Sequence, residues 1–205
     1  MVAPVSIPYN HFSTVSYDLR RYMAQNALYG GTTQVMDLGE PRWVAQYRTA
    51  LLSETQRRAF KLFWDTMKGG LVPFLGYDPS QAVPLAYADT GFPAGFNGTA
   101  GISAINAGGF TMFGLPAGFV LTAGDLVELA QGDNHALYRI TSASGPSTTV
   151  AVTVIPNVRT DIYTSPTANV LRPACSMVVD PGSWSHAAEA GTLTPAAFSA
   201  IQKVY

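Results

Sequence analysis

One cysteine, three histidines and a low charge content leave this 205-residue chain short of the groups that most chemistry needs. Cys175 has no second cysteine with which to close a disulfide and no clustered histidines with which to hold zinc, so it is expected to pack as a small apolar residue. His11, His135 and His186 stand in three separate regions, and none lies in H-E-x-x-H, G-x-S-x-G, a phosphate-binding P-loop or G-x-G-x-x-G. Ser183 and Ser185 precede His186 with Asp180 nearby, but such residues gather in exposed turns far more often than in triads. His135 opens a strand-like run, where a hydrogen-bonded, non-catalytic role is expected. Asp125, Glu128 and Asp133 lack the dense odd-position spacing of a calcium loop and are read as solvated turn acids. Asp78 and Asp180 each precede a proline and are expected to bond the backbone of their own turns. The expectation is therefore a protein that is not an enzyme, with no catalytic residues, no cofactor and no metal.

Charge is scarce in both signs. Twelve basic and thirteen acidic residues give a net charge of −1, which offers no footprint for binding nucleic acid through its phosphates. No run approaches the roughly 20 apolar residues of a membrane-spanning helix, and the first residues lack the basic and apolar regions of a secretory signal. Neither nucleic acid nor membrane is expected as a partner.

What the sequence does hold is apolar and small. Hydrophobic residues make up 47%, with 19 glycines, 14 prolines and 20 tyrosines and phenylalanines together, while only 12% are charged. A surface so poor in charge leaves patches that end up against other proteins, which favours an obligate oligomer. The phenylalanines Phe92, Phe96, Phe110, Phe113 and Phe119 suggest core or interface packing before a sugar-binding surface, although a carbohydrate or host-receptor module is the alternative from another class.

The pattern along the chain is mainly β. A helix-compatible run covers residues 18–28, with Leu19, Tyr22, Met23 and Ala27 at helical spacing. Period-two segments at 32–38 and 42–51, separated by Gly39-Glu40-Pro41, suggest a hairpin with Trp43, Ala45, Tyr47, Thr49 and Leu51 on one face. The strongest local signal is a helix over 54–68, which has Ser53 and Gln56 at capping-box spacing, a stripe of Phe60, Phe63 and Met67, and Gly69-Gly70 behind it. A short strand over 71–75, loops and short strands over 82–118, and clear strands near 120–129, 136–141 and 148–155 follow. The last pair, 170–180 and 196–205, is expected to return to the first sheet, because an isolated hairpin of that size is not stable alone. The expected architecture is a β-sandwich with a packed helix, from 1–80 and 165–205, interrupted by a smaller antiparallel barrel or sandwich at 81–164.

Taken in order, several motifs form a recognisable series. They are the Arg42-Trp43 strand, the capped helix ending in Lys68-Gly69-Gly70, and Pro73-Phe74-Leu75-Gly76-Tyr77-Asp78-Pro79. Gly124-Asp125-Leu126-Val127-Glu128-Leu129, Ala136-Leu137-Tyr138-Arg139-Ile140-Thr141, Val154-Ile155-Pro156-Asn157-Val158-Arg159 and a strand from Arg172 to Asp180 follow. Over residues 32–205 this series resembles the distal tail proteins of long, non-contractile tailed bacteriophages and related prophages. The resemblance implies a tail-tube-like sandwich domain with a smaller β-domain, and a ring of copies, usually six, that joins the tail tube to the baseplate hub of the virion. The ring would be made and assembled in the host cytoplasm, with itself, the tail tube protein, the baseplate hub protein and the tape-measure protein as partners. A tube subunit or tail terminator is the alternative within the same class. The family has no catalytic residues to carry over; by position, Trp43, Tyr47, Arg48, Phe63 and Trp64 are expected at the ring interface.

Overall fold

The computed structural model describes residues 3–8, 12–27, 31, 33–186 and 195–204, with residues 27 and 186 given by backbone alone. The chain is mainly β with one α-helix, and it is built from an open mixed sheet and a closed antiparallel barrel. The sheet takes its strands from both ends of the described chain: β1 (Val5–Ser6), β2 (Phe12–Ala27), β3 (Thr33–Thr49) and β4 (Phe74–Tyr77) from the first part, β11 (Ala174–Val179), β12 (Ser185–His186) and β13 (Ala196–Gln202) from the last. Its order is β1-β4-β11-β13-β3-β2, with β12 beside β13. The barrel is formed in between by β5 (Thr99–Asn106), β6 (Gly109–Phe113), β7 (Leu126–Gln131), β8 (Asn134–Ala143), β9 (Thr149–Ile155) and β10 (Thr167–Asn169). It closes in the order β10-β5-β6-β9-β8-β7, with β7 bonded back to β10.

The barrel leaves and rejoins the sheet at one place. The last residue of β4, Tyr77, is paired with the first residue of β11, Ala174, so about a hundred residues are inserted between two adjacent strands. The expected return to the sheet at residue 165 comes later, because β10 is needed to close the barrel.

Helix α1 (Glu54–Thr66) forms where its caps specify it. The Ser53 side chain accepts from the Gln56 N–H while the Gln56 side chain accepts from the Ser53 N–H, satisfying two end groups of the helix reciprocally. Its Phe60 and Phe63 lie on the sheet in an aromatic cluster centred on Phe198, whose ring lies 5.1 Å from Tyr47, 5.9 Å from Phe74, 6.0 Å from Phe60 and 6.4 Å from Phe63. The packing allows no side chain at Gly76: a Cβ there would sit 2.3 Å from Met177 Sδ and 3.0 Å from the Tyr47 hydroxyl. The barrel has its own core, with Val127, Leu129, Tyr138, Ile140, Val150, Val152 and Val154 facing inward by strict alternation.

Two sequence expectations fail here, for one reason. Residues 18–27 are strand, not helix, and Gly39-Glu40-Pro41 is not a turn but part of the uninterrupted β3. The hairpin partner of β3 is β2, paired from Phe12↔Thr49 to Ala27↔Thr33. Long-range pairing overrides the local helical spacing of Leu19, Tyr22 and Met23. The register shifts between Arg20 and Tyr22 and again between Tyr22 and Met23, opposite the glycine and proline; β3 takes up extra residues there as bulges, where a proline without an N–H is tolerated. The expected strand at 71–75 forms three residues later, as β4.

Cys175 is fully buried, and its thiol lies 3.0 Å from the Tyr17 hydroxyl. Burial pushes the thiol up to about 12, and raises the Tyr17 and Tyr47 hydroxyls well above the ordinary tyrosine range. In the unfolded chain the thiol ionises near pH 8.5. A group whose pKa is raised by folding supports the native state fully below its unfolded value and loses that support as pH climbs toward its folded value. Stability is therefore expected to fall from about pH 9 upward, most clearly between pH 9 and 12, and Cys175 should resist iodoacetamide at pH 8.5 until denaturant is added. Urea titrations at rising pH and intact-mass analysis check both; rapid alkylation of the native protein contradicts the buried placement. Phe198→Ala should cost about 3–5 kcal/mol in the same urea assay, as the removal of a core aromatic does.

Candidate functional site: an uncovered hairpin arm

Of the five residues expected at an interface, three are used up inside the single chain. Trp43, Tyr47 and Phe63 are buried by the chain's own aromatic cluster and cannot meet a neighbour. Trp43 is fixed further: its indole N–H donates to the Leu137 carbonyl at 2.7 Å, and the Arg139 guanidinium lies 5.1 Å from its ring centre. Trp64 is half-buried and stacks on Trp184 with centroids 4.7 Å apart. Arg48 alone of the five is exposed. Large aromatics on a regular strand face suggest an interface by composition, yet the same alternation also turns them toward their own helix.

The imagined triad is also accounted for. Ser183 Oγ donates to the carbonyl of Asp180 at 2.7 Å and accepts the Ser199 N–H at 2.9 Å, which ties a turn to β13. His11 and the side chain of His186 lie outside the described residues. Asp78 caps its turn through the Ser80 N–H, and Asp180 accepts from the Gly182 N–H. Among the described residues no three histidine, cysteine, aspartate or glutamate side chains are grouped to hold a metal. Phe119 stacks on Tyr87 and Phe92 on Phe96, the two pairs meeting edge to face against the barrel core; Phe110 is buried, whereas Phe113 is about half exposed.

Two acids expected in solvent are buried. Asp125 accepts from the Leu85 and Thr122 N–H groups at 2.8 and 2.7 Å and from the Thr122 hydroxyl. Glu128, on the outer side of β7, is hydrogen-bonded to His135 Nδ1 through Oε1, and its Oε2 accepts from Asn169 at 3.2 Å and from the Ala174 N–H at 3.0 Å. This carboxylate fastens three barrel strands to the first residue of β11. With Leu126 and Leu137, which lie in the sheet's core cluster, it joins the two bodies.

The part that is not covered is the far half of the β2–β3 hairpin. β13 pairs with β3 only from Val44 to Arg48, and beyond that point β2 is the one partner of β3 among the described residues. There Met23, Val35, Met36 and Leu38 are each more than half exposed and Tyr22 is 38% exposed. A two-stranded ribbon is marginal in water at best. At roughly 1.5–3 kcal/mol for full burial of one large apolar side chain, these five half-exposed groups leave roughly 4–8 kcal/mol to be gained by covering them. Ten residues of β3, 33–42, extend this arm by roughly 30 Å at strand rise. At its root lies a cleft of about 400 Å³ between the arm, the barrel and the end of β13, with Arg21, Glu40, Pro41, Tyr138, Arg159 and Tyr163 among its walls. Arg159 bridges it, bonding Glu40 at 3.3 Å and Asp161 at 3.1 Å.

The sequence holds a sign of the arm. Tyr22-Met23 and Val35-Met36 are adjacent apolar pairs, and on a strand adjacent residues face opposite ways, so neither could be covered by one core. No protein-family model matches the chain, and no curated relative is found for it.

Met36→Ser and Leu38→Ser should each change the folding stability of the single chain by less than about 0.5 kcal/mol, as exposed substitutions do. In contrast, Glu128→Ala should cost about 2–4 kcal/mol, because it leaves the Ala174 N–H and Asn169 without their acceptor. Paired urea denaturation curves check the contrast, and equal effects at the two sites would contradict it.

Proposed function

We propose that this chain is a structural assembly subunit that works by covering its own apolar arm with copies of itself, and that the assembly is a ring at the distal end of a phage tail. In this reading the ring, sixfold as the resemblance implies, joins the tail tube to the baseplate hub, with the tape-measure protein as a further neighbour. Its location is the virion, and its role is structural and not catalytic. The observation that carries the reading is the arm, a two-stranded ribbon whose exposed Met23, Val35, Met36 and Leu38 have no covering layer among the described residues. The low charge and the resemblance of the ordered motifs to distal tail proteins agree with it. A ring needs a contact that runs head to tail and closes, and an open sheet with a projecting edge supplies one.

Electron microscopy of the purified protein, with light scattering across a concentration series, tests the reading. Closed single-layer rings are the expected result, and one layer per tail in the virion separates an adaptor or terminator from a stacked tube subunit. A protein that stays a single copy at high concentration, and in the presence of tail tube protein, contradicts it.

A further inference from the structure

Only two long strand edges are unpaired among the described residues. The barrel is closed and has none, while β1 and β12 are two residues each. What remains is the outer edge of β2, sixteen residues long, and the inner edge of β3 over residues 33–42, which borders the cleft. Charge divides these two edges. On the arm, β2 carries Arg20 and Arg21 and no acid, whereas β3 carries Asp37 and Glu40 and no base until Arg42.

We infer that the β3 edge and its cleft receive the hairpin arm of a second copy, which presents its β2 edge as an added strand. The inference rests on the assembly reading above and names the contact within it. Strand addition satisfies the backbone groups along the edge, while alternate side chains enter the cleft or cover the exposed methionines. Pairing β2 of one copy with β3 of the next brings Arg20 and Arg21 to Asp37 and to Glu40, which already meets Arg159 in its own chain. Pairing β2 with β2, or β3 with β3, brings like charges together, which disfavours a two-fold dimer and favours a head-to-tail chain of contacts. The β2 edge supplies the eight residues 20–27 to one side of the contact and the β3 edge the ten residues 33–42 to the other, with the cleft walls adding to the second side. This is below the roughly 20–30 residues per side of a stable interface, as suits one of the repeated contacts of a ring.

A charge swap tests the contact. One variant carries Arg20→Glu and Arg21→Glu, the other Asp37→Lys, which leaves the in-chain bridge between Glu40 and Arg159 intact. Each alone places like charges across the β2–β3 contact and should assemble at least about tenfold more weakly than the natural chain by sedimentation. Mixed, each variant's β2 meets an opposite charge on the other's β3, and assembly should return to within about threefold. A second measurement does not depend on how the variants fold. A photo-crosslinking residue at position 36 of the otherwise natural chain, mixed with isotope-labelled copies, should crosslink to labelled residues 12–27. Variants that assemble normally alone, a mixture that does not recover, or crosslinks only outside residues 12–27 of the partner copy would each overturn this contact while rings persist. Absence of any assembly by the natural chain would overturn the contact and the assembly reading together.

Discussion

The structure depends on one constraint: a β-ribbon two strands wide cannot bury side chains on both faces by itself. Over residues 44–48 β3 lies between β2 and β13, and its inward residues are covered by α1 and the aromatic cluster. From Arg42 toward Thr33 the same strand has, among the described residues, neither a third strand beside it nor a helix above it, and Val35, Met36 and Leu38 meet water. The composition follows from this. A chain with 12% charged residues has little with which to solvate such a surface, which in the proposed assembly is covered by a neighbouring copy.

In the proposed assembly the arm must point in a fixed direction, and the joint between barrel and sheet supplies contacts that hold it. Insertion between two hydrogen-bonded strands gives the barrel two closely spaced connections, at Tyr77 and Ala174. Glu128 clamps the second, the Trp43 indole holds Leu137 from the sheet side, and Arg159 reaches across to Glu40 at the root of the arm. These contacts are polar and geometrically demanding, where apolar packing alone would let the bodies slide. A barrel held this way forms one wall of the cleft in which an incoming strand would lie.

Much of this fold was legible in the sequence because its signals are local. The helix is bounded by a capping box before it and two glycines after it, β9 alternates buried with exposed residues, and β7 and β8 carry apolar runs set off by turns containing glycine, aspartate and asparagine. The return of the last strand to the first sheet followed from the instability of a lone hairpin, and β13 does pair with β3 and β11. The arm was illegible because Leu19, Tyr22 and Met23 fit a helical spacing, and only their pairing with residues beyond the turn makes them strand. Glu128 was misread for the same reason. Its neighbours in sequence suggest a solvated acid, while the partners that bury it, Ala174 and Asn169, come from more than forty residues away. Trp43, Tyr47 and Phe63 were assigned to an interface because nothing in sequence separates an aromatic that meets a neighbour from one that meets its own helix.

Amide hydrogen exchange follows the covering of the arm residue by residue, because backbone protection reports whether its exposed edges become paired. Residues 20–27 and 33–42 should exchange fast in dilute protein and become strongly protected as concentration rises, while the sheet core around Phe198 is protected throughout. Fast exchange of the arm at every concentration, in material shown to be assembled, would contradict that covering.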